Sequence, residues 1–209
     1  VIPHGVSVVD SGHEKVEKET ISDRHEKIIL FFGVLSPRKG LETLLHAFHI
    51  VIRNITDAKL VIAGDEPSYY KGYKDELIKK AKSLGVQAKT IFLGKILDEE
   101  IPGLFNGAYV VILPYLFSIS ASGPLSLAMG YGKPIIASRT EFFREILEDR
   151  YDALLFPPGD YESLARCILE ILLDKERTRQ LIKRSKTRAL KFSWSNVASL
   201  TLKLYQIIV

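Results

Sequence analysis

The sequence predicts an α/β fold, a Rossmann-like parallel sheet of about six strands with helices on both faces. Three observations predict it. From Ile28 onward, short apolar runs rich in β-branched and aromatic residues alternate with longer amphipathic stretches. The runs are apolar throughout, as in strands buried on both faces. Three of them run straight into a glycine (Gly33, Gly64 and Gly94), at the carboxyl ends where open sheets of this class place ligands.

Taken in order, the predicted strands are Ile28 to Phe32, Leu60 to Ala63, Thr90 to Leu93, Tyr109 to Leu113, Pro134 to Ala137 and Ala153 to Phe156. Between the first two, Gly40 to Arg53 places Leu41, Leu44, Leu45, Phe48, Val51 and Ile52 at three- and four-residue steps, one face of a helix. Tyr73 to Leu84 turns Leu77, Ile78, Ala81 and Leu84 inward and ends before Gly85. A short helix spans Leu125 to Met129. Asp160 is a good N-cap for a helix burying Leu164, Ile168, Ile171 and Leu172, with Cys167 also facing inward as a small apolar residue. Two further helical stretches close the chain. Ser7 to Lys27 is polar and aperiodic, so residues 1–27 read as a crossing and linker and 28–209 as one domain.

Composition narrows the function classes. A length of 209 residues, 46% hydrophobic and 26% charged, suits one globular domain and excludes disorder, collagen and coiled coil. The longest apolar run, Ala108 to Phe117, contains Pro114 and is well short of the ~20 residues of a membrane-spanning helix. The single cysteine excludes an internal disulfide and a cysteine-rich zinc site, which makes cytoplasm the default location. A net charge of +4 suits anionic ligands without demanding nucleic acid. A start at Val1 with Met129 as the only methionine suggests part of a longer protein.

Two loops carry candidate chemistry. In GVLSPRKG, Gly33 opens the loop and Lys39 stands just before a helix start, where amide dipoles favour a phosphate; tight turns with a solvated lysine read the same way. The loop matches neither the phosphate-loop nor the dinucleotide fingerprint. In LPYLFSISASGPLSLAMGYGKPIIAS, Ser118, Ser120 and Ser122 precede Gly123, Pro124 and Leu125. Small hydroxyls and amides at a helix start suit a diphosphate, and equally a serine-capped turn.

The strings VIPHGV, GVLSPRKG, LVIAGD, IFLG, the second loop, REILEDRYDALLFPPGD and FSW occur in an order that resembles retaining glycosyltransferases of group 1, or family 4. The resemblance covers nearly the whole chain and implies the second, C-terminal domain of a GT-B enzyme. That domain binds the nucleotide-diphosphate sugar (UDP-, GDP- or ADP-sugar), needs no cofactor or metal, and works with an N-terminal acceptor-binding domain. Lys39 corresponds to the lysine that contacts the donor diphosphate and serves catalysis, and Gly33 to the glycine of its loop. Gly64, Gly94, Ser120, Ser122, Gly123, Pro124, Leu125 and Glu145 complete the implied donor site. The family arginine after the first glycine is Val34 here, with Arg38 as the candidate substitute. Two family glutamates, eight positions apart, are Ile119 and Leu127, which accept no hydrogen bond. A family variant with a Ser-Gly pair before the helix matches Ser122 and Gly123. The final FSWSNVASLTLKLYQ is similar to the family's last helix, with Val197, Leu200, Leu204 and Ile207 as its apolar stripe.

Other residues point elsewhere. His46 and His49 are three apart, a metal-compatible spacing, but read as ordinary helix residues. His4 reads as turn-stabilising. Lys175, Arg177, Arg179, Lys183, Arg184, Lys186, Arg188 and Lys191 read as a solvated helix, with peripheral contact to a membrane surface as the alternative. A non-catalytic, glycosyltransferase-like scaffold is the rival reading, motivated by Val34, Ile119 and Leu127. An epimerase on the same fold is a third.

Overall fold

A computed structural model describes residues 5–7 and 26–208. Strands β1 (Lys27–Phe32), β2 (Ala58–Ala63), β3 (Thr90–Gly94), β4 (Val110–Leu113), β5 (Ile135–Ser138) and β6 (Leu154–Phe156) form one sheet in the order β3-β2-β1-β4-β5-β6, every pairing parallel. The chain winds one way from β1 to β3 and the other way from β4 to β6. The topological switch therefore lies between β1 and β4, where crevices open beyond the carboxyl ends of such sheets.

The central strands are apolar because both faces are covered, and β1, β2, β4 and β5 are nearly solvent-free. The expectation that every strand is covered on both faces fails at β3. It is one of the two edge strands, and Ile91 and Leu93 on one of its faces reach solvent, whereas β6 at the other edge is buried.

Around the sheet run α1 (Leu41–Val51), α2 (Tyr73–Ser83), α3 (Ile101–Gly107), α4 (Gly123–Gly130), α5 (Glu141–Ile146), α6 (Tyr161–Leu173), α7 (Lys175–Lys191) and α8 (Trp194–Ile208). The apolar stripes of α1 and α6 are buried as their periodicity predicts, α6 through Leu164, Ile168, Ile171 and Leu172. Asp160 caps α6 by accepting the Ser163 N–H at 2.9 Å. Cys167 is only half-buried, and burial pushes its thiol up to about 11. Helices α3 and α5 were not expected: at seven and six residues they are too short for a helical period to register.

Most of residues 1–27, including His4 and the expected linker, lies outside the described residues. Of the described part, Val6 is buried and donates its N–H to the Phe192 carbonyl at 2.7 Å. Gly5 lies against the Trp194 ring. On α8, Val197 is buried, Leu200 and Leu204 are exposed, and the Ile207 side chain lies outside the described residues.

Candidate functional site

At the switch point a cleft of about 410 Å³ lies between the tips of β1, β2 and β3 and the start of α4. Its walls come from the ends of β1 (Phe32, Gly33, Val34), β2 (Gly64, Asp65) and β3 (Lys95, Ile96), from Lys39, and from Ala121 to Pro124 at the start of α4. Gly33 donates to the Ala63 carbonyl at 2.9 Å and Gly64 to the Gly94 carbonyl at 2.8 Å, so the three strand tips are laced together. Gly64 has φ +138°, and a Cβ there would lie 1.9 Å from the Gly33 carbonyl oxygen. Packing between strand ends thus requires this glycine, whatever the cleft holds.

Lys39 ends a single 3-10 turn, Pro37–Lys39, stopped by Gly40 at φ +67°. A Cβ on Gly40 would meet the Pro114 carbonyl oxygen at 2.0 Å. The Leu116 N–H donates to the Arg38 carbonyl at 2.9 Å. The turn is therefore docked on the loop that follows β4. Lys39 Nζ lies 3.5 Å from the centroid of the Tyr115 ring. Burial, and then the neighbouring Arg38 cation, pull its ammonium down from 10.5 to about 8. Tyr115 is buried, and its hydroxyl, beside Ser122, forms no good hydrogen bond among the described residues. Burial pushes this phenol up to about 12, the Ser122 hydroxyl pulling the other way.

Helix α4 starts at Gly123, two residues before the expected Leu125, because Ser122 supplies the N-cap. Its Oγ accepts the Leu125 N–H at 3.2 Å and its carbonyl accepts the Ser126 N–H at 3.1 Å. Pro124 has no N–H. Among the described residues, the Ser122 and Gly123 N–H groups at this helix start are both left without an acceptor in the chain. The amide cradle expected over Ser122 to Leu125 thus contracts to Ser122, Gly123 and the helix dipole.

Of the predicted site residues, the structure brings Gly33, Lys39, Gly64, Ser122, Gly123 and Pro124 into one cleft. Gly94 lies behind the lining, holding Gly64. Leu125 is buried and its amide is spent on the cap. Ser120 is exposed outside the cleft, and Glu145 is exposed on α5. Arg38 is turned away, its guanidinium 5.9 Å from the centroid of the exposed Phe117 ring. This placement lends no support to Arg38 as the substitute for the cation absent at Val34. Ile119 and Leu127 pack against the core.

Sequence reasoning missed Tyr115, Asp65, Lys95 and Ile96. Lys95 and Ile96 were within reach of the rule that picked out Gly94, extended by two residues. Also missed was Glu66, whose carboxylate accepts the Gly72 and Lys74 amides at 2.8 and 2.6 Å and ties the loop after β2 to the start of α2. The paired histidines are engaged separately: His49 Nδ1 meets the Leu84 carbonyl at 2.6 Å, and His46 lies against the Tyr161 ring.

Fold and site together define an open α/β domain with a cationic cleft at its switch point. The chain belongs to the glycosyl transferases group 1 family, which it matches over residues 13–188. It is 28% identical over 184 residues to a phosphatidyl-myo-inositol mannosyltransferase of Mycolicibacterium smegmatis, covering 88% of this chain and 46% of that protein. The chain spans about half the length of the curated relatives it matches. In fold it is similar to Anabaena HepE in complex with UDP and glucose, with TM-score 0.78 and 22% identity over 88% of this chain and 48% of that one. It is also similar to the C-terminal domain of a group 1 glycosyl transferase, LpcC, from Francisella tularensis, with TM-score 0.74 and 21% identity over 80% and 87%. This chain's six-stranded parallel sheet between helices thus has the α/β fold of one half of a GT-B glycosyltransferase.

Proposed function

We propose that this chain is the C-terminal, donor-binding half of a retaining, family 4 glycosyltransferase. It takes a sugar from a UDP-, GDP- or ADP-sugar to an acceptor held by an N-terminal domain, and needs no metal or cofactor. One observation carries the reading: a half-buried lysine and the start of α4 meet in a cleft at the sheet's switch point. As the sugar leaves, negative charge grows on the diphosphate, and Lys39, the Gly123 N–H and the α4 dipole are arranged to stabilise it. The UDP complex of a neighbour of the same fold supports a nucleotide donor.

Calorimetric titration with UDP, GDP and ADP tests the reading. Binding of at least one is expected; binding of none overturns it. A non-catalytic scaffold is the second reading, favoured by Ile119 and Leu127, apolar residues packed on the core where the resembled family carries glutamates. Such a scaffold binds none of the three. On the main reading the chain alone transfers nothing, since the acceptor half is absent, and transfer by the purified chain would refute that. Cytoplasmic residence completes the proposal, with Lys175, Lys183, Lys186 and Lys191 exposed on α7 as a solvated face and contact to a membrane surface as the alternative. Liposome flotation independent of anionic lipid would reject the membrane alternative. Among the described residues no helix is long and apolar enough to cross a membrane.

A further inference from the structure

Two cations adjacent in sequence each face an aromatic ring from the same partner loop. Lys39 lies over Tyr115 and Arg38 beside Phe117. Between these side-chain contacts the two backbones touch: Gly40 rests on the Pro114 carbonyl, and the Leu116 N–H bonds to the Arg38 carbonyl. Backbone contacts at 114 and 116 thus alternate with ring contacts at 115 and 117, and the arrangement behaves as a short ladder between the loops after β1 and β4.

We propose that Tyr115 is the positioning residue of the anion site: its buried ring holds the Lys39 ammonium on one face while its hydroxyl edge abuts the Ser122 cap of α4. The two anion-attracting elements are thereby kept in a fixed relation across the cleft, with Arg38 outside it beside Phe117. The inference rests on the donor-binding reading of the same cleft.

Three features carry it. Tyr115 is 1% exposed, so its ring is fixed by packing and offers one defined seat. The seat is close, 3.5 Å from Nζ to the ring centroid, well inside the ~6 Å range of cation–π attraction. The hydroxyl lacks a good hydrogen bond among the described residues, a state that packing alone would relieve by phenylalanine. Its edge nevertheless sits beside the one serine that caps α4. A lysine left to its own rotamers spreads its charge over many positions; one seated on a ring meets the diphosphate at little entropic cost.

The test compares Tyr115→Phe and Tyr115→Leu with the unchanged chain, titrating each with UDP, GDP and ADP and recording the lysine side-chain resonances by NMR. Seated on the ring, the Lys39 ε-methylene protons are expected to be shifted upfield. Tyr115→Phe keeps that shift but loses the hydroxyl edge at Ser122, and weakens affinity about twofold to threefold. Tyr115→Leu loses the shift and weakens nucleotide binding about fivefold or more. A folded Tyr115→Leu chain with unchanged affinity overturns the proposal. Should that variant fail to fold, the unchanged chain still decides: absence of an upfield-shifted lysine ε resonance overturns the seat. If the unchanged chain shows that resonance but binds no nucleotide, the donor-binding reading fails while the seat itself stands, so the two failures are distinguishable.

Discussion

Replacing Lys39 by alanine separates what this side chain does for the fold from what it does for a ligand. Burial and Arg38 lower its ammonium to about 8, so the folded chain holds this proton less tightly than the unfolded chain, whose lysine titrates near 10.5. At pH 7 the group is still about nine-tenths protonated. Its removal relieves desolvation and repulsion from Arg38, so stability is expected to change by no more than about 1 kcal/mol. A hydrogen bond from the ammonium to a diphosphate contributes about 1.5–3 kcal/mol, which predicts nucleotide binding weakened roughly 10- to 150-fold. The pH dependence has a definite sign. Between about pH 8 and 10.5 the unfolded chain binds more protons than the folded one, so the Lys39 contribution to stability rises with pH across that window. Nucleotide affinity runs the other way, falling above about pH 8 as the free ammonium is lost. The charged groups in or beside the cleft are Arg38, Asp65 and Lys95, and the neighbouring Tyr115 phenol titrates only near 12. Calorimetry from pH 7 to 9.5 with melts at each pH is the assay. Wild-type affinity in Lys39→Ala, or a pH-independent affinity in the unchanged chain, refutes the reasoning.

Gly40→Ala is expected to be severe. The left-handed backbone adds about 1–2 kcal/mol of strain, and the new methyl must push the turn away from Pro114, so both denaturant stability and nucleotide binding fall. Arg188→Ala leaves the fully buried Asp152 carboxylate without its partner, and a loss of about 3–5 kcal/mol is predicted in a urea melt. Asp160→Ala removes the α6 cap and lowers stability by about 1 kcal/mol, with nucleotide affinity unaffected because α6 starts outside the cleft. Glu145→Gln leaves nucleotide affinity unchanged by calorimetry, since that carboxylate is exposed on α5 outside the cleft; a marked loss would return it to the site.

What the sequence made legible follows from the range of each interaction. The central strands could be read because burial on both faces leaves only apolar residues along them, a signal complete within a few positions. Lys39 could be read because a cation before a helix start is a local pattern, and Ser122 because an N-cap is written within four residues. Gly64 was legible as special, but for ligand approach, whereas the Gly33 carbonyl on the neighbouring strand is what excludes a side chain there. Tyr115 was illegible for the same reason in stronger form. Nothing near it marks it; its place is set by the register of two loops that meet only because β1 and β4 are adjacent in the sheet. Asp152 and Arg188 meet through the packing of α7 on the turn before β6, and no periodicity announces a buried pair of that kind. A lysine-lined cleft at a switch point is thus half local and half topological. The charge and the cap can be read from neighbouring residues, while the surface that holds the charge at a fixed distance from the cap exists only once the sheet has closed.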